Sequence, residues 1–319
     1  LTSHFPSSFP MNPPQPLTLP LYRNLKAIDS NVRTGTHQLR ILRGHQDAVI
    51  SLTVQDGMLF SGSKDRTIKI WNIATGTELK TLAGHQNWVD CLTIKDGKLI
   101  SCSQDSTIKI WDIESGKELQ TLRGHQDAIN CLTIKDGLLF SGSWDNMIKV
   151  WDIATGKELK TLAGHQSGIL SLTVQDGRLF SGSWDQTIKV WDIATGKELK
   201  TLAGHQGAVK CLTVKDGKLI SGSDNWTIKI WDIATSEELK TLRGHQAPVS
   251  CLTVKDGMLF SGSSDCRIKI WDIERGKELH TLNGHRSFLN TLTVKDGMLF
   301  SGSNENTIRI WDFNPVCNG

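Results

Sequence analysis

Residues 124–163 read GHQDAINCLTIKDGLLFSGSWDNMIKVWDIATGKELKTLA, and this forty-residue unit is written seven times along the chain. Gly-His recurs at Gly44-His45, Gly84-His85, Gly124-His125, Gly164-His165, Gly204-His205, Gly244-His245 and Gly284-His285. A Trp follows each pair at one fixed interval, and the last six of these are followed by Asp, whereas Trp71 precedes Asn72. Self-similarity at this period means one supersecondary unit per repeat, unable to bury its apolar face without neighbours. Within the quoted unit AINCLTI is an apolar, β-branched strand, and Asp136-Gly137 marks a hairpin because it tolerates the positive φ angles of a type I′ turn. LLFSGS and MIKVW follow, divided by a tight turn at Asp145, and ATGK then turns into ELKTL, whose alternation suits a solvated outer edge. Four-stranded units repeated radially make a β-propeller, so the predicted fold is all-β with seven blades.

The two ends predict how the ring shuts. After Trp311 the chain runs out as DFNPVCNG with no ELKTL-type strand, while TGTHQLRILRGH ahead of the first full unit matches ATGKELKTLAGH. The segment from about His37 to Leu42 is therefore expected to supply the outer strand of the last blade, which removes free sheet edges. Residues 37–319 form one propeller domain on this basis, and residues 1–36 a Pro-rich arm and lead-in, partly disordered. Most prolines fall within residues 1 to about 20, which carry no hydrophobic period. Residues 21–35 are expected to form a short helix.

Composition narrows the function classes. A net charge of +3 over 319 residues is far below that of a dedicated phosphate-backbone binder, so nucleic acid is not an expected partner. No apolar run approaches membrane-spanning length, and no signal peptide is visible. The chain opens on Leu1, not Met, which suggests a piece of a longer reading frame. Cys91, Cys131, Cys211 and Cys251 share one repeat position with Ser51, Ser171 and Thr291, as small buried side chains do and disulfide halves do not. There is no Cys-x-x-Cys pair, so neither a metal nor a cofactor is expected, and the thiols point to a reducing, cytoplasmic setting.

Gly-His, then Ser-Gly-Ser-x-Asp, then Ile-Lys-Ile-Trp-Asp, resembles the WD-repeat β-propellers over about nine-tenths of the chain. The resemblance implies a hydrogen-bonded tetrad of His, Ser, Asp and Trp in each blade. Carried over residue by residue, these are His45, Ser61, Asp65 and Trp71 in blade one and His85, Ser101, Asp105 and Trp111 in blade two. Blade three gives His125, Ser141, Asp145 and Trp151, blade four His165, Ser181, Asp185 and Trp191, and blade six His245, Ser261, Asp265 and Trp271. Blade five has Asn225 in place of the acid and blade seven has Glu305, which puts their tetrads in doubt and suggests strain at those turns. Blade two replaces the middle Gly by Cys102, an adjustment of packing between blades. Ser, His and Asp together also suggest nucleophilic catalysis, but a catalytic triad is needed once and this set recurs, so no catalytic residue is assigned.

The Asp-Gly and ATGK turns are nearly invariant from blade to blade; the resemblance puts them on the bottom face, as a solvated surface. Variation collects just after Gly-His and around the tetrad acid, in loops that the resemblance puts on the top face. The four tryptophans outside the third strands, Trp88, Trp144, Trp184 and Trp226, all fall there, on consecutive blades. Trp anchors interfaces by burying a large area at low entropic cost. Blades six, seven and one carry Arg267, Arg286, Lys64 and Arg66, with Phe288 beside them. These nine residues are the expected partner-binding set, an aromatic half facing a basic half. The expected function is a non-catalytic scaffold that binds a peptide or loop of a partner protein, as a monomeric propeller within a larger assembly. A second reading is the substrate-recognition module of an F-box ubiquitin-ligase adaptor; an enzyme or a nucleic-acid binder is more remote, since top-face cations are interrupted by Asp90, Asp127 and Asp224.

Overall fold

The structure, a computed structural model, describes residues 19–315, and the side chains of residues 26–315. The expected disorder of the arm falls mostly on residues outside this range. In blade one, strands β2 (Val49–Gln55), β3 (Met58–Ser63), β4 (Thr67–Asn72) and β5 (Glu78–Ala83) follow β1 (Gln38–Arg43) and pair antiparallel in sequence order. The β2–β3 hairpin turns through Asp56 at φ 48° and Gly57 at φ 73°, the left-handed pair that Asp-Gly accommodates. Seven four-stranded sheets of this kind build the propeller that the repeats predict.

Each apolar layer lies between two blades. Phe60, Ile68, Ile70 and Leu82 of blade one pack against Val89, Leu92, Leu99 and Trp111 of blade two, and equivalent clusters recur around the ring. At the middle residue of Ser-Gly-Ser neighbouring blades approach closely. A Cβ at Gly62 would stand 2.9 Å from both the Cγ1 and the carbonyl oxygen of Val89, so only glycine lets the next inner strand come so near. Blade two carries Cys102 there, fully buried, with its thiol 3.2 Å from the carbonyl oxygen of Ile129 in blade three.

The last blade is completed from the other end of the chain. β1 pairs antiparallel with Thr307–Asp312, from Gln38 opposite Asp312 to Arg43 opposite Thr307, one residue later at each end than the sequence suggested. Leu42 of β1 joins Phe300, Ile308 and Ile310 of blade seven and Val49, Leu59 and Trp71 of blade one in a single cluster. Helix α1 (Leu19–Thr34) precedes β1 and docks below blades six and seven through buried Val32, with the Asn31 amide donating to the carbonyl oxygen of Phe313 at 2.9 Å. His37 then stacks edge-on against Trp311, ring centroids 5.0 Å apart.

One polar thread crosses each blade. In blade one Trp71 Nε1–H donates to Ser61 Oγ at 2.8 Å, Ser61 Oγ lies 2.7 Å from His45 Nε2, and His45 Nδ1 lies 2.7 Å from the Asp65 carboxylate. The chain of donors runs one way: the hydroxyl donates to Nε2, and Nδ1–H donates to the carboxylate. Burial pushes the Asp65 carboxyl up, but hydrogen bonds from His45 and Thr67 outweigh it and hold the acid well below the usual carboxylate range. Asp65 also accepts from the backbone N–H of Gln46 and Thr67, so it ties the Gly-His loop to the β3–β4 turn.

Blade seven keeps this geometry with Glu305 as its acid, whereas blade five keeps the Trp231–Ser221–His205 part alone. In blade seven Glu305 accepts from His285 Nδ1 at 2.8 Å and from Arg309 at 3.2 Å. In six blades the third-strand lysine pairs with a glutamate of the outer strand, as Lys69 does with Glu78 at 2.9 Å. β1 offers Gln38 at that place, so Arg309 takes the longer Glu305 instead. In blade five His205 keeps its 2.7 Å contact with Ser221, while Asn225 Oδ1 accepts from Thr227. Burial, with the Lys229 charge, pulls the His205 imidazole down to about 4, and burial with the Arg309 charge holds His285 as low although Glu305 opposes it.

Removing β1 exposes the edge of the Thr307–Asp312 strand and the Leu42 site. A protein starting at Gly44 is expected to be less stable than one starting at Thr36 by about 3 kcal/mol or more, and less soluble. Equal urea midpoints would show that the ring closes without it. His165→Ala strands Ser181 and Asp185 and is expected to cost roughly 1–3 kcal/mol in unfolding free energy.

Blade five also has a pH signature. A histidine at about 4 in the folded protein and 6.5 unfolded contributes stability that is complete above pH 6.5 and lost as pH falls toward 4. Asn225→Asp gives Nδ1–H a carboxylate and should remove that loss. The channel carboxyl of Asp90, which burial raises to about 7, titrates in the opposite sense, so the readout is the difference between the two proteins. That difference is expected to grow in favour of the variant by about 2 kcal/mol from pH 7 to pH 4.5. A constant difference over this range contradicts the assignment.

Candidate partner-binding site

The second residue of every inner strand, five after the Gly-His histidine, places a side chain at the channel mouth. These seven residues are Ile50, Asp90, Asn130, Leu170, Lys210, Ser250 and Asn290, and they line a cavity of about 360 Å³. Lys64, Gln104, Trp144 and Trp184 reach it from the turns after the second strands, and Trp88 from the Gly-His loop of blade two. The two loops of each blade are bonded to one another by backbone: Lys64 N–H donates to the Ala48 carbonyl, Gln104 to Trp88, Trp144 to Ala128 and Trp184 to Gly168, at 2.9–3.1 Å. The side chains at the mouth therefore stand on fixed supports.

Trp144 and Trp184 lie together, ring centroids 5.8 Å apart at 36°, yet remain 38% and 42% exposed. Trp144 lies across the backbone of Gly168 in the next blade, where a Cβ would meet its Cε3 at 2.6 Å. Trp88 is half-buried, with the Lys64 ammonium 3.9 Å from its ring centroid. Burial raises the Asp90 carboxyl to about 7, with the Gln104 side chain and the Lys64 charge opposing the rise. Lys210 pairs with Asp224 of its own blade at 3.2 Å.

The nine residues expected from the sequence do not all converge. Lys64, Trp88, Trp144 and Trp184 line the cavity; Trp226, Phe288, Arg66, Arg267 and Arg286 do not. Trp226 occupies the left-handed turn position just after Asn225, φ 70°, two residues beyond the place of Trp144 and Trp184, and is 52% exposed. Arg286 lines a separate groove outside blade seven with Arg43 and Arg309. Thus the four tryptophans are a cluster of three plus an outlier, and the basic half reduces to Lys64. Sequence reasoning missed Lys210 and the channel role of Asp90. The signal was available as the one position in an otherwise repeated strand that reads Ile, Asp, Asn, Leu, Lys, Ser and Asn around the ring.

The tetrads lie apart from this surface. Ser61, Ser141, Ser181 and their counterparts have no exposed surface, so the hydroxyls do not face a substrate. Among the described residues no cluster of His, Cys, Asp and Glu is arranged to hold a metal ion, the six described cysteines are free thiols, and no helix is long and apolar enough to cross a membrane.

Among curated proteins, the chain is 35% identical over 60 residues to a probable E3 ubiquitin ligase complex SCF subunit sconB of Neosartorya fischeri, a match covering 19% of this chain and 9% of that protein. It is 40% identical over 55 residues to the probable SCF subunit scon-2 of Neurospora crassa, covering 17% of this chain and 8% of the relative. The chain thus matches less than a tenth of the length of these relatives. Among solved structures it resembles the computationally designed Ika8 protein, at 37% identity and a TM-score of 0.71, over 85% of this chain and 98% of that one. The family described as WD40, WD domain, G-beta repeat, matches seven times, at residues 36–72, 76–112, 116–152, 156–192, 196–232, 236–272 and 276–312. With these seven matches spanning most of its length, the chain belongs to the WD-repeat family.

Proposed function

We propose that the protein is a non-catalytic interaction scaffold that binds a peptide segment or loop of a partner protein across the top of its channel, as a cytoplasmic, monomeric propeller within a larger assembly. The observation that carries this is the convergence of Trp88, Trp144 and Trp184 on one mouth, with Trp144 and Trp184 held open to solvent on loops bonded to each other. Indoles clustered and exposed on a rigid support are the usual anchors of a buried interface. The bottom turns repeat almost unchanged and offer no comparable contrast.

A second reading is favoured by the relatives' names: the propeller presents a substrate to a ubiquitin ligase complex. The same mouth would then hold the substrate. An affinity capture from the native cell decides between the two, since the second requires ligase subunits in the captured set and ubiquitylation of the protein held at the mouth.

With a captured partner in hand, Trp88→Ala, Trp144→Ala and Trp184→Ala are each expected to weaken binding by about 1–4 kcal/mol in calorimetry, with little change in unfolding. Trp226→Ala and the bottom-face control Lys135→Ala should bind within a few tenths of a kcal/mol of the parent. Loss of affinity in Lys135→Ala with normal binding by the three mouth variants would put recognition on the opposite face.

A further inference from the structure

The free protein already keeps an ammonium group at its mouth. Lys64 Nζ stands over the Trp88 ring at 3.9 Å, the geometry by which an indole face attracts a cation. Beside it Asp90 is the one carboxylate in the ring of inner-strand side chains, while the mouth's other ammonium, Lys210, is taken up by Asp224. Trp144 and Trp184 offer further ring surface, and Ile50 and Leu170 supply apolar walls of the kind that the methylene stem of a long cationic side chain covers. An anion entering here would meet indole faces and a carboxylate; a neutral apolar group would leave Asp90 buried without a full counter-charge.

We propose that the mouth is a cation subsite: a lysine or arginine side chain of the bound segment enters among Trp88, Trp144 and Trp184, takes Asp90 as its counter-ion, and displaces Lys64, which fills the place in the free protein. This rests on the top face being the binding surface, and it names the chemistry of what binds there.

The subsite carries a pH dependence. Asp90 sits at about 7 because it is buried, so it is only partly ionised at neutral pH, and an entering cation expels its proton. The charged and titratable groups around it are Lys64 on the blade-one turn, Cys91 beside it, Cys102 on the paired strand, Cys131 in blade three, and the Lys210–Asp224 pair of blade five. Burial pushes the Cys102 and Cys131 thiols up, so neither ionises in this range, and a hydrogen bond from Cys102 holds the Cys91 thiol lower. Affinity for a cation should therefore rise with pH through 7.

The test uses the whole chain and three blocked pentapeptides, acetylated and amidated so that the central side chain carries the only charge: Gly-Gly-Lys-Gly-Gly, Gly-Gly-Arg-Gly-Gly and the norleucine analogue. Each is titrated while the indole Nε1–H signals are followed by NMR at pH 6 and pH 8, with assignment by single Trp substitutions. The lysine and arginine peptides should shift the Trp88, Trp144 and Trp184 signals saturably and bind at least tenfold more tightly than the norleucine peptide. Their affinity should rise about tenfold from pH 6 to pH 8, following the ionised fraction of a carboxyl at about 7. Asp90→Asn should weaken both and abolish that rise, and Lys64→Ala should bind lysine more tightly by removing the tethered competitor. Norleucine binding as tightly as lysine, an unchanged pH profile in Asp90→Asn, or no shift from any peptide overturns the cation assignment. Partner binding by the Trp variants is read separately, so the cation subsite can fail while the top face stands.

Discussion

A propeller blade has two apolar faces and no means of covering either by itself. Every core cluster here mixes residues of adjacent blades, so a blade is stable only between two others and the first and last blades only if they meet. That single requirement explains why β1 crosses from the start of the chain to pair with Thr307–Asp312, and why Leu42 sits in the cluster joining blades seven and one. It also explains the glycine between the two serines: close packing of blades leaves no room for a Cβ beside Val89. Where blade two carries Cys102 instead, the thiol is accepted against the carbonyl of Ile129.

The polar thread through each blade serves the same end from the top. Trp, Ser, His and the acid satisfy one another's hydrogen bonds where all but the acid are buried, and the acid binds the Gly-His loop to the turn beyond the second strand. Blade seven shows how far neighbouring choices are coupled. Its outer strand comes from a different part of the chain and brings Gln38 where other blades bring glutamate, so Arg309 draws its counter-charge from the tetrad position, and the residue there is the longer Glu305. Replacement of the acid thus follows from how the ring closes.

The fold was legible in the sequence because the repeat fixes period, turn chemistry and strand count together, and the unmatched ends identify the closing strand. The lead-in helix was visible in outline, though its docking under blades six and seven through Val32 carries no local signal. The binding surface was legible only in part. Loop variability located Trp88, Trp144 and Trp184, but could not separate the turn residue that faces the channel from the one two places later, which lies in the left-handed region and outside the cavity; Trp226 was grouped with the others for that reason. Glu305 and Asn225 suggested strained turns because the sequence shows residue identity and not reach.

The frame is nearly identical seven times over, and a few non-repeated side chains converge at one mouth. Hydrogen–deuterium exchange of the protein with and without its captured partner tests this most directly, since it reports protection along the whole ring at once. The account predicts added protection in segments 84–90, 141–146 and 181–186 and none in the bottom turns at 55–57, 95–97 and 135–137. Protection confined to the bottom turns, with the mouth unchanged, would contradict it.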